Sequence, residues 1–249
     1  MYRGQSLQDE FVLKILNYKK DGYFLEIGSN HPIEINNSFV LEDNYGWKGI
    51  MVEYDKSFEP LYKIHRPNSI HILKDATQVD FKNELDKQNF PKNIDYLQID
   101  LEVDNRSTLT TLEILEKTVF NDYVFSVVTF EHDIYRGNHF DTREKSREIF
   151  FRHGYVLVFP DVKNKNCPYE DWYIHSSINF NHELITKDSM EFNDVLNKIT
   201  WGSTCTQSAL WAHQSLDGYC LGKGPLVTSS FWWGHQVSQS ISGTALHSW

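Results

Sequence analysis

Four carboxylates in the first hundred residues share one local pattern. Glu26 lies inside the apolar run 23–27, Glu53 closes the run 49–53, Asp75 follows 69–73 and Asp100 follows 94–99. A fifth acid, Glu131, ends the Val- and Phe-rich run 123–130 and is followed by His132. Carboxylates in such places can accept both hydrogen bonds of a diol, hold an amine, orient a cation or remove a proton. His132 adds a group that titrates near neutrality when unperturbed. After Glu26 comes Gly28-Ser29-Asn30, a tight turn whose glycine, lacking a Cβ, lets the backbone approach a ligand closely.

A parallel sheet would bring these groups together, because the carboxyl ends of its strands share one edge. The chain supplies the alternation this needs. Phe11, Val12, Ile15 and Leu16 recur at helical spacing and predict a helix over 7–18. Asn36-Asn37-Ser38 caps a second helix at Phe39, Val40 and Leu41, which Gly46 closes. Further helical stretches start at Pro60, run weakly through 77–90, and occupy 106–117 and 141–152. Runs 155–159 and 172–175 are close enough to pair antiparallel across a loop through Pro160 and Cys167-Pro168, with Trp172 in the core. The expected fold is α/β: a doubly wound, mostly parallel seven-stranded sheet with a terminal antiparallel hairpin.

A dinucleotide site would need Gly-x-Gly-x-x-Gly after the first strand. Here Gly28 is followed by Ser29, Asn30, His31, Pro32 and Ile33, and there is no Walker loop. The expected ligand is therefore nucleoside-like without phosphates, which points to S-adenosylmethionine. In that reading Glu53 holds the ribose diol, as an acid on the second strand does in dinucleotide folds. Asp75 and the amide of Ala76 hold adenine. Glu26, Gly28, Ser29, Asn30 and Tyr54 complete the cofactor set. Asp100 lies nearest the cleft centre, and Asp100, Glu131 and His132 are the candidate bases for a hydroxyl acceptor. Glu131, His132, Asp133, Asp171 and His175 lack zinc-type spacing, so no metal is expected. Arg106 and Arg136 are read as solvated surface charge.

Phe24-Leu-Glu-Ile-Gly-Ser-Asn30, Leu41 through Glu53, Asp95-Tyr-Leu-Gln-Ile-Asp-Leu-Glu102 and Phe130-Glu-His132 resemble the successive motifs of FkbM-type S-adenosylmethionine-dependent methyltransferases. Ser146-Arg-Glu-Ile-Phe150, Gly154-Tyr155 and Glu170-Asp-Trp-Tyr-Ile-His175 continue the likeness, which covers roughly residues 5–180. The resemblance implies a class I methyltransferase fold. It matches Glu26, Gly28 and Asn30 to the first cofactor loop, Glu53 to the ribose acid, Asp75 to the adenine-side acid and Asp100 to the fourth-strand acid. One departure falls after that strand, where Asp100-Leu-Glu102-Val103 replaces the usual Asp-x-Glu-Gly. The implied reaction is O-methylation of a sugar or another small hydroxylated metabolite. The rival functions are a non-catalytic binding module on the same fold and a nucleotide-dependent oxidoreductase, the latter disfavoured by the missing glycines.

Composition bounds the rest. A net charge of −10 disfavours nucleic acid and anionic membrane as partners. Three cysteines form no paired framework, and no apolar run approaches the roughly 18 residues of a membrane span. The expected setting is cytoplasmic. The oligomeric state is not legible. Residues 1–200 are read as the methyltransferase unit. From Trp201 to Trp249 only Asp217 and Lys223 are charged, yet five of the seven tryptophans lie there. That stretch is read as an atypical tail, poorly ordered or non-native, and no site is placed in it.

Overall fold

In the computed structural model, which describes residues 1–199, strands and helices alternate through most of the chain. The strands are β1 (Tyr23–Ile27), β2 (Lys48–Glu53), β3 (Ile70–Leu73), β4 (Asn93–Ile99), β5 (Val124–Glu131), β6 (Tyr155–Asn164) and β7 (Cys167–His175). The helices are α1 (Gln8–Ile15), α2 (Phe39–Tyr45), α3 (Glu59–His65), α4 (Phe81–Lys87), α5 (Ser107–Thr118) and α6 (Phe140–Arg152). The expected tail 201–249 lies outside the described residues.

One sheet holds all seven strands in the order β3-β2-β1-β4-β5-β7-β6. β1 pairs in parallel with both β2 and β4, so the strand order reverses between β1 and β4. β5 and β6 both pair with β7 antiparallel. This is the expected fold class, a doubly wound α/β sheet with an antiparallel hairpin at its end. Apolar β1 residues divide between the two faces. Leu25 and Ile27 pack in the layer of α4, α5 and α6, with Leu85, Leu109, Leu112 and Phe150. Phe24 packs in the layer of α1, α2 and α3, with Phe11, Leu41, Trp47 and Tyr62. A short helical segment at 192–199 adds Val195 and Leu196 to that second layer.

The terminal hairpin is longer than expected. The stretch 160–164, read as loop, is the second half of β6. β6 is the edge strand, so Pro160 removes no central ladder bond, and register shifts between Leu157 and Lys163 absorb it. Trp172 is fully buried, stacked on Phe11 at 4.4 Å, as a core residue should be.

Candidate functional site

The acids at the carboxyl edge do converge. A cavity of about 390 Å³ lies outside the ends of β1, β2, β4 and β5. Glu26, Gly28, Ser29, Asn30, Glu53, Tyr54, Asp100 and Glu131 all line it. A second cavity of about 440 Å³ holds Asp75 and Ala76 with Lys74, Asn105 and Ser107, and shares Tyr54, Leu101 and Glu102 with the first. The two form a bipartite groove across the point where the strand order reverses, the usual ligand position in an open α/β sheet.

Each predicted residue has a local job. Gly28 has φ +86°, and a Cβ there would stand 1.7 Å from the Asp100 carbonyl oxygen. The glycine lets β1 close on the end of β4, and it also lines the cavity, as expected of a cofactor-loop residue. The Asp100 amide donates to the Ile27 carbonyl at 2.9 Å across the same junction. Ser29 points inward, its hydroxyl 2.8 Å from that of Tyr62, which also donates to the Asn30 carbonyl. Glu53 accepts from the Asn30 amide at 2.7 Å and from the Asp55 amide at 2.8 Å. Its two oxygens keep further lone pairs toward the cavity. Tyr54 is 76% exposed beside it. Asp75 caps the turn Ala76–Gln78, taking the amide and hydroxyl of Thr77 on one carboxylate oxygen and leaving the other unengaged.

Glu26 is held from behind. It accepts from the Ser38 hydroxyl at 2.6 Å, the Asn37 amide at 3.1 Å and Asn36 Nδ2 at 3.3 Å. Burial raises its pKa to about 7, against the pull of the Arg66 guanidinium and these hydrogen bonds. Arg66 is itself fully buried. It donates to Glu42 at 2.8 Å, to the Asn36 side-chain oxygen at 2.8 Å and to the Ser38 hydroxyl at 2.7 Å. Sequence reading missed this clamp, because nothing in residue spacing ties Arg66 to Glu26.

Asp100 and Glu131 sit side by side at the cavity floor. Burial is the main reason that both carboxyls lie above their ordinary range. The hydrogen bond between them draws Asp100 back down, while the Asp100 charge pushes Glu131 further up. Gln5, Gln98 and Glu102 also line the cavity and escaped the sequence reading; Asp133, weighed there only as a metal ligand, and Arg136, read only as surface charge, line it too. Arg136 pairs with Asp133 and Glu102 at 3.2 Å each, and Arg106 with Asp141 at 3.0 Å. Both are exposed, as expected of solvated charge, and form surface ion pairs. Two buried oxygens, Gln98 Oε1 and Asp133 Oδ1, have no hydrogen-bond partner among the described residues.

His132 is the expected site residue that the structure separates from the others. It lines neither cavity, is fully buried, and places Nε2 at 3.4 Å from Asp171 and 3.5 Å from Asp161. Alternation along the strand explains this: Glu131 faces the cavity, so its neighbour faces away. His132, Asp161 and Asp171 are close enough to hold a cation. Guanidinium groups take those positions instead. Arg147 bridges both acids at 2.7–2.9 Å and Arg143 reaches Asp161 at 3.1 Å. These contacts hold the Asp171 carboxyl well below the usual carboxylate range, despite its burial.

No protein-family model matches the chain, and no curated protein matches it either. Solved structures do resemble it. A TehB-like SAM-dependent methyltransferase from Corynebacterium glutamicum is 12% identical, with a TM-score of 0.44 over 68% of this chain and 86% of that one. A precorrin-6y C5,15-methyltransferase from Geobacter metallireducens is 15% identical, with a TM-score of 0.42 over 67% and 85%. A protein of the NADB-Rossmann superfamily from Streptococcus agalactiae is 14% identical, with a TM-score of 0.45 over 87% and 89%. Likenesses at this level carry no argument, and the description of the fold rests on the strand order itself. Among the described residues no helix is long and apolar enough to cross a membrane.

Proposed function

We propose that the chain is an S-adenosylmethionine-dependent methyltransferase acting on the hydroxyl of a small acceptor. The observation that carries this is the pair of unpartnered buried oxygens, Gln98 Oε1 and Asp133 Oδ1, on residues that line an acid-walled cavity. Buried acceptors call for donors, and Glu26, Glu53, Asp100 and Glu131 around them call for positive charge. A zwitterion carrying an ammonium and a sulfonium supplies both, whereas a pyrophosphate would be repelled. Glu53 would hold the ribose, and Asp75 with the Ala76 amide would hold adenine in the adjoining cavity. The FkbM-type resemblance belongs to the same proposal. So do a small hydroxylated acceptor, a cytoplasmic setting and the division of the chain at residue 200.

When bound, the donor supplies a methyl carbon whose bond to sulfur breaks, the electron pair staying on sulfur, as an acceptor oxygen forms the new bond. The chain's own part is alignment and charge. Gly28 and the Asn30 turn fix the edge of the cavity, and Glu53 and Asp75 fix the two ends of the nucleoside. The Asp100–Glu131 pair, raised above the ordinary carboxyl range, is the proton acceptor at the cavity floor. His132 has no place in this chemistry.

Titration calorimetry with S-adenosylmethionine, S-adenosylhomocysteine and NAD tests the reading. Saturable binding of the first two, weakened in Glu53→Ala, is expected. Binding of NAD alone would overturn it.

A further inference from the structure

Beyond the carboxyl pair lies a third cavity, of about 600 Å³. It shares Gln5, Ile35, Glu131 and Asp133 with the central cavity, so Glu131 is part of the wall common to both. A hydroxyl lying in it can therefore reach the proton acceptor. Its outer wall is apolar. Ile35 is 67% and Tyr135 47% exposed at the mouth, and Phe192 lies across from them. Large side chains left exposed together at a cavity mouth mark a ligand surface.

The rim is cationic. All seven arginines fall within the described residues, and six pair with carboxylates: Arg66 with Glu42, Arg106 with Asp141, Arg136 with Glu102, Arg143 with Asp161, Arg147 with Asp171 and Arg152 with Glu116. Arg3 is the exception. Its amide is fixed on Asp9 at 2.7 Å and its guanidinium lies 6.0 Å from the Phe39 ring centroid, with no carboxylate against it. Lys165 lines the same cavity from the turn joining β6 to β7. The Asn164 side chain ties that turn to the N-terminal segment, donating to the Gln5 carbonyl at 3.2 Å and the Ser6 hydroxyl at 3.0 Å. Arg3 and Lys165 are thus carried on two segments held together. The acids on the inner wall are engaged elsewhere, Asp133 with Arg136 and Glu131 with Asp100.

We infer that this groove is the acceptor site and that it takes an aromatic or similarly flat apolar hydroxy compound bearing a carboxylate or phosphate. The hydroxyl faces Glu131, the body lies against Ile35, Tyr135 and Phe192, and the anion meets Arg3 and Lys165. A neutral sugar leaves both cations without a partner. The inference rests on the methyl-transfer reading.

The test is calorimetric binding of three probes to the protein with and without saturating S-adenosylhomocysteine: 4-hydroxybenzoate, 4-hydroxyphenyl phosphate and the neutral 4-hydroxybenzyl alcohol. At least one anionic probe should bind about five- to tenfold more tightly than the alcohol, the preference expected of two exposed charge-assisted contacts. The stronger of the two distinguishes a carboxylate acceptor from a phosphate one. Arg3→Gln/Lys165→Gln should reduce that preference below about twofold and leave binding of S-adenosylhomocysteine unchanged. Tyr135→Ala should weaken all three probes alike. Equal binding of anionic and neutral probes, a preference that survives the double variant, or no binding by any probe overturns the inference. Failure of S-adenosylhomocysteine to bind overturns the donor reading separately, because the probes are also titrated without it.

Discussion

At the scale of single residues, the cavity edge depends on one missing Cβ and one well-placed carboxylate. Gly28 has a positive φ and stands against the Asp100 carbonyl. An alanine there faces both backbone strain and a backbone clash that no side-chain movement relieves. Gly28→Ala should lower stability by about 2–4 kcal/mol and shift the end of β4, measured by urea denaturation. A loss within experimental error would mean that the β1–β4 junction is looser than its geometry states. Glu53 ties the Asn30 and Asp55 amides together at the second strand end. Glu53→Ala should weaken S-adenosylhomocysteine binding by about 1–3 kcal/mol, the cost of lost charge-assisted hydrogen bonds, and calorimetry reads it directly. Unchanged affinity would remove Glu53 from the ribose role.

At the scale of elements, the buried guanidinium of Arg66 joins three segments that are distant in sequence. It leaves the C-terminal end of α3, meets Glu42 in α2 and reaches Asn36 and Ser38 in the loop behind Glu26. Removing one partner of a buried ion pair strands the other. Arg66→Met should therefore cost about 3–5 kcal/mol in denaturant unfolding. It should also push the Glu26 carboxyl further up, since the cation that opposes its desolvation is gone. Carboxyl titration by NMR checks the second effect, and an unmoved Glu26 would show that Arg66 serves α2 alone.

At the scale of the molecule, buried carboxyls set how stability follows pH. Burial lifts Glu26 to about 7 and Glu170 to about 8 from an ordinary 4.5. Between those values the folded chain holds protons that the unfolded chain has released, so stability falls as pH rises through the window. Below it the sign reverses, because the carboxyl of Asp171, held down by Arg147 and His132, must take up a proton. Maximum thermal stability is expected at about pH 4.5, where the two limbs meet, with a decline toward pH 8. Calorimetric melting from pH 4 to 8 tests this. Glu26→Gln with Glu170→Gln should flatten the upper limb. A melting temperature that climbs steadily to pH 8 would contradict it.

The sequence by itself determined the elements and the edge on which the chemistry lies. Apolar runs of strand length alternating with helical spacings force a layered α/β sheet, and an acid after each of several parallel strands must fall on their common edge. Glu26, Glu53, Asp100 and Glu131 were legible for that reason. Tertiary structure alone decided what each group faces. Gly28 packs on the chain's own Asp100 as well as lining the cavity, a contact that spacing did not show. His132 turns to the opposite face from Glu131, because strand alternation separates what adjacency in sequence had joined. Arg66, Gln98 and Asp133 join the site, and Arg3 and Lys165 come to line one cavity, through contacts between segments that no local pattern encodes. Periodicity is a property of neighbours along the chain, whereas a binding site is made by neighbours in space.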